Sequence, residues 1–149
     1  MTLVYNDFQN ALNGLIRAHF SHRVHLPHQP QAVKDKAGFL RDFGTVRVNI
    51  GQRTGKTVWA TACANSDWLI LSPNDIESMG CDGSVHIVKD KASYTKALNT
   101  LVDSEFTTVV VDEPWIIEHN GLDKFYTNLY KALAKSKKPL EQLAVIILG

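Results

Sequence analysis

No arginine follows Arg53. All five arginines of the 149-residue chain (Arg17, Arg23, Arg41, Arg47 and Arg53) lie in its first 53 residues, and every later basic side chain is lysine or histidine. Cysteine is scarcer still. Cys63 and Cys81 form neither a metal-ligand nor a redox spacing, so a reducing, cytoplasmic setting is expected. No apolar run approaches the roughly 20 residues of a membrane-spanning helix, and no signal-peptide pattern is read at the N-terminus. The net charge of +1 gives no global reason to bind nucleic acid and leaves only local patches to consider.

What is present is the make-up of an ordinary globular domain, with 44% hydrophobic and 21% charged residues. The length suits one domain with its own core. Residues 6–20 place Phe8, Leu12, Leu15, Ile16 and His19 at helical spacing, with Asn6 or Asp7 as N-cap and Gly14 as a weak interruption. "SHRVHLPHQPQ" (21–31) reads as a loop or extended linker, and a short helix follows over 32–42.

The chain then alternates. Strands are expected at 45–50, 68–72, 84–89, 107–112 and 144–148, and helices at 56–65, 91–103 and 122–136. Continuous Val/Ile/Leu runs separated by helical segments indicate a parallel sheet covered on both faces. The expected organisation is an N-terminal helical and loop extension (1–44) before an α/β core (45–149).

Two motifs carry chemistry. "NIGQRTGKT" (49–57) connects a strand to a helix and ends in Gly55-Lys56-Thr57. Backbone amides of such a loop point inward and the helix N-terminus adds partial positive charge, which together hold phosphate. The lysine reaches the outer phosphates and the threonine hydroxyl ligates Mg²⁺. The first glycine of the usual G-x-x-x-x-G-K-[ST] pattern is displaced: Ile50 takes its place and Gly51 follows one residue late. The second motif, "TTVVVDEP", is an apolar strand delivering Asp112 and Glu113 at its C-terminal end. In this chemistry the aspartate holds the Mg²⁺ shell and the glutamate polarises the attacking water.

With both motifs in place the sequence resembles P-loop NTPases of the additional-catalytic-Glu class. It looks most like the ATPase domain of phage DNA-packaging terminase large subunits and the first RecA-like domain of superfamily 2 helicases. "DWLILSPN" and "LAVIILG" are similar to the strands that follow the phosphate-loop helix and the acidic motif there. The resemblance covers residues 45–149 and is specific at Gly55-Lys56-Thr57 and Asp112-Glu113. It implies a three-layer RecA-like core that binds ATP and Mg²⁺. Gly51, Gln52, Arg53, Thr54, Gly55, Lys56 and Thr57 would bind nucleotide, and Thr57 and Asp112 would organise the metal. Lys56, Glu113 and Arg53, the last as a finger in cis, would be catalytic. Terminase loops carry their arginine three residues before the second glycine, where this chain has Gln52. The family's coupling motif, second motor lobe and nuclease domain would lie beyond Gly149.

The arginine distribution narrows the class. An arginine on the developing phosphate charge is worth 10³–10⁵ in rate, and only Arg53, Arg47 or an N-terminal arginine can supply it in cis. Nucleoside and shikimate-type kinases close an arginine-bearing lid from their second half, and GTPases need N-K-x-D; this chain has neither. A motor ATPase acting on double-stranded DNA is expected, with a neighbouring subunit as the other source of the finger. The alternative is a nucleotide- or partner-binding module with weak or no turnover. His19, His22, His25 and His28 recur every third residue, but Pro27 and Pro30 oppose a regular helix, so a solvated or partner-docking segment is preferred to a zinc or nickel site. Lys131, Lys135, Lys137 and Lys138 cluster at a helix end, where the dipole favours lysines whether or not DNA is present.

Overall fold

In the computed structural model, the Val/Ile/Leu runs form one sheet of five parallel strands in the order β1-β5-β4-β2-β3. The strands are β1 (Thr45–Val48), β2 (Trp68–Ser72), β3 (Ser84–Ile87), β4 (Thr108–Asp112) and β5 (Ala144–Leu148). The structure describes residues 2–21, 35–49, 56–74, 81–119 and 124–149. All four pairings are parallel, with Val110 of β4 opposite Ile70 of β2 and Ile146 of β5. Every residue of β4 and β5 is buried, which is why their sequences run apolar without alternation.

The helices divide between the two faces by strand parity. Val109 and Val111, with Val145 and Ile147, pack against α2 (Lys36–Phe43), α4 (Lys91–Asn99), α5 (Pro114–His119) and α6 (Phe125–Leu133). Val110, Ile146 and Leu148 pack instead with Leu12 of α1 (Thr2–Ser21) and with Trp59, Ala60 and Ala64 in and just after α3 (Lys56–Cys63). The protein is therefore an α/β sandwich with helices on both faces of a parallel sheet, an architecture compatible with a RecA-like core. Among the described residues no helix is long and apolar enough to cross a membrane.

Local rules account for several boundaries. Asp35 caps α2 by accepting from the Gly38 amide, and Asp90 forms a reciprocal capping box with Ser93 at the start of α4. On α6 the stripe Phe125, Leu129, Leu133 is buried at i, i+4, i+8. On α1 the described inward row runs from Leu12 through the half-buried Ile16 and Phe20, whereas Leu15 is 54% exposed. The helix rotates to present the i, i+4, i+8 row, leaving Leu15 outside the expected stripe.

α5 was not expected. Its first residue is Pro114, which the sequence suggests as a strand breaker. Proline also fits the first position of a helix, where its missing N–H costs no hydrogen bond. The expected helix 91–103 ends at Asn99 and continues as turns stabilised by Leu101 N–H donating to Leu98 O.

Candidate functional site

The C-terminal ends of all five strands lie at one edge of the sheet, because the strands are parallel. At this edge α3 follows β1 on one face, whereas α5 and α6 follow β4 on the other, with β5 between the two strands. Connections departing to opposite faces leave a crevice beyond the strand ends, the usual ligand position in open α/β sheets.

Asp112 stands at the floor of this crevice and is 1% exposed, the one buried charged residue among the described residues. It shares strand parity with Val110, so its carboxylate faces α3. The Thr57 hydroxyl, in the first turn of α3, donates at 3.1 Å from each carboxylate oxygen of Asp112. Ser72, the last residue of β2, donates its hydroxyl to Oδ2 at 3.1 Å. A carboxylate removed from water is costly without such donors, and here they converge from two other elements. The oxygen cluster is also the hard-ligand chemistry that Mg²⁺ takes.

Glu113 follows with φ of 51°, a left-handed backbone uncommon outside glycine. Its amide donates to the Leu148 carbonyl at 3.2 Å, and the Gly149 amide donates to the Val48 carbonyl at 2.8 Å, which ties the ends of β1, β5 and β4 together. Gly149 has φ of +147°, and a Cβ there would lie 2.7 Å from Cδ of Pro114, so the chain passes α5 only as glycine. The left-handed turn directs the Glu113 side chain to β2, where Asn74 Nδ2 donates to Oε2 at 2.8 Å. The Asn74 amide donates to Ser72 Oγ at 3.2 Å. "Ser72-Pro73-Asn74" therefore contacts both acids, a role not read from the sequence. Two polar residues flanking a proline at the end of an apolar strand were the available signal.

The structure thus joins Thr57, Asp112 and Glu113 with Ser72 and Asn74. Lys56 opens α3; its side chain, and Gly51, Gln52, Arg53, Thr54 and Gly55, lie outside the described residues. The other cis arginines sit elsewhere. Arg47, on the opposite face of β1, donates to the Gly149 carbonyl at 3.2 Å and lies 3.8 Å from the Glu118 carboxylate. Glu118 also accepts from the Tyr126 hydroxyl at 2.9 Å, and burial, with this carboxylate, holds the Tyr126 pKa well above its usual value. Arg41 pairs with Asp42 on the surface, and Arg17 is at the other edge of the sheet. Trp115, beside the acids in sequence, is half exposed.

The lysines after α6 are remote from the acids. Lys135 and Lys137 bond through their backbones to Asp103 and Ser104, in the loop that enters β4 at its N-terminal end. His22, His25 and His28, with the His19 side chain, lie outside the described residues. Among the described residues no group of three or more His, Cys, Asp or Glu side chains is placed to hold a metal. Compared with known proteins, the chain matches no family model, no curated protein and no solved structure at a significant level.

Proposed function

We propose that the chain is an ATP-binding and ATP-hydrolysing domain of the P-loop type, working as a DNA-packaging or helicase-type motor of phage or viral character. The observation that carries this reading is the Thr57–Asp112 contact. A hydroxyl one residue after Lys56 meets a buried carboxylate 55 positions away in sequence, at the C-terminal edge of a parallel sheet. This is the pairing that a nucleotide-bound Mg²⁺ requires.

Thr57 and Asp112 would hold the cation, and Lys56 with the backbone of 51–55 would hold the phosphates. When bound, the cation neutralises the charge that develops on the transferred phosphoryl group. Glu113, next to Asp112 but on the accessible side of the strand end, would accept hydrogen bonding from the attacking water. Arg53 is the proposed finger in cis, and double-stranded DNA the proposed substrate of the movement.

Lys56→Ala is expected to abolish ATP binding, and Glu113→Gln to retain binding while losing hydrolysis. Unaltered turnover in both variants overturns the assignment. A second reading, a nucleotide- or partner-binding module without efficient turnover, draws on the Asn74 bond that already engages Glu113. Steady-state ATPase with and without double-stranded DNA separates the two: DNA-stimulated turnover supports the motor, and tight nucleotide binding without turnover supports the module.

A further inference from the structure

The other edge of the sheet holds a cavity of 540 Å³, at the N-terminal ends of β2, β4 and β5. It lies at the opposite ends of the same elements that form the acid site. Thr108 begins β4 where Asp112 ends it, and Cys63 ends α3 where Thr57 sits in its first turn. Four intervals of strand place the cavity about 13 Å from the Asp112 backbone.

Its body is apolar. Ile16 and Phe20 of α1, Trp59 of α3, Trp68 and Ile146 supply the walls. The Trp59 and Trp68 rings stand 6.0 Å apart at 51°, so they present two differently directed faces. Trp59 is held by its indole N–H, which donates to Asn13 Oδ1 at 2.7 Å. The volume falls within the range of small-molecule pockets, roughly 300–1,000 Å³, which are mainly apolar with a few placed polar groups.

Its rim carries more negative than positive charge: Asp67 and Glu141 against Arg17. Asp67 is fixed at three points. Its amide donates to Asn65 Oδ1 at 3.3 Å, its carbonyl accepts from the Thr107 amide at 2.9 Å, and Oδ2 accepts from the Thr107 hydroxyl at 2.9 Å. A fixed carboxylate lining the same cavity as two indoles suits a protonated amine, which can gain a charge-assisted hydrogen bond and the attraction of a ring quadrupole.

We propose that this cavity binds a small aromatic amine, with its ammonium on Asp67 and its ring against Trp68 and Phe20. The site is separate from the nucleotide reading and stands without it.

Two probes with the same phenylethyl framework and opposite charge test this: phenethylamine and 3-phenylpropionate. Each is titrated into the nucleotide-free protein while the three indole N–H resonances are followed by NMR. Phenethylamine is expected to shift the Trp59 and Trp68 signals saturably, with Trp115 at the far edge unmoved, and 3-phenylpropionate to bind at least tenfold more weakly. Asp67→Asn keeps an acceptor for Thr107 and is expected to weaken phenethylamine by about tenfold, equivalent to 1.4 kcal/mol. Equal affinity for the two probes, preference for 3-phenylpropionate (which would make Arg17 the anchor), or no saturable shift by either overturns the proposal. The comparison of probes on the unaltered protein decides the matter even where the variant fails to fold.

Discussion

The side-chain amide of Asn74 donates to Oε2 of Glu113 across 2.8 Å, joining the loop after β2 to the acid that follows β4. The contact sets the environment of the proposed water-polarising group. Asn74→Asp would place a second carboxylate within hydrogen-bond distance of the first. Like charges that close repel, so the Glu113 side chain would be pushed from its present position. ATP turnover is expected to fall while ATP binding is kept, read by steady-state kinetics and calorimetric titration. Unchanged turnover would show that this contact does not position Glu113.

Asp112 depends on hydroxyl donors from Thr57 and Ser72. Ser72→Ala removes a donor to a buried charge and leaves the packing of β2 nearly unchanged. A hydrogen bond to a charged group is worth about 1.5–3 kcal/mol. Denaturant unfolding in the absence of nucleotide should show a loss of that order. Asp112→Asn is expected to fold while losing Mg²⁺-dependent nucleotide binding, read by calorimetric titration with and without the metal.

Asn13 links α1 to α3, accepting from the Trp59 indole N–H at 2.7 Å. Trp59 is 2% exposed, so Asn13→Ala strands a buried donor. The expected cost is about 1–3 kcal/mol. Amide exchange should show the loss first in α1, whose described attachment comprises Leu12, Ile16, Phe20 and this bond. Uniform destabilisation, with α1 protected as before, would count against that attachment.

Tyr94 is buried, with its hydroxyl donating to the Phe125 carbonyl. Burial pushes its pKa up to about 12, against about 10 in an unfolded chain. The folded state binds this proton more tightly, so the stability it brings is complete below pH 10 and is lost as pH rises towards 12. Tyr94→Phe should lower stability at neutral pH by about 1 kcal/mol through the lost hydrogen bond. It should also flatten the decline between pH 10 and 12, measured as the denaturation midpoint against pH.

Much of the architecture was legible from spacing. Trp68–Ser72 and Ala144–Leu148 occupy the expected strand ranges, and β4 differs from its expected range by one residue. Buried parallel strands must be apolar on both faces, and that leaves a continuous signal. Helix ends were less legible: 56–65 shortens to Lys56–Cys63, because the last turn depends on neighbours that periodicity does not reveal. α5 was missed, since Pro114 signals a strand end and a helix start equally well.

The sequence by itself determined the element types, the α/β class and the position of two acids at the end of a buried strand. Each follows from local periodicity and residue chemistry. Only the tertiary structure decided the strand order, with β5 between β1 and β4, and hence which strand ends face the crevice. It also brought Ser72 to Asp112 and Asn74 to Glu113, and gathered Asp67, Trp59 and Trp68 around one cavity. These pairings join residues up to 40 positions apart. Strand order is selected by how all the apolar faces are buried together, which no local segment encodes.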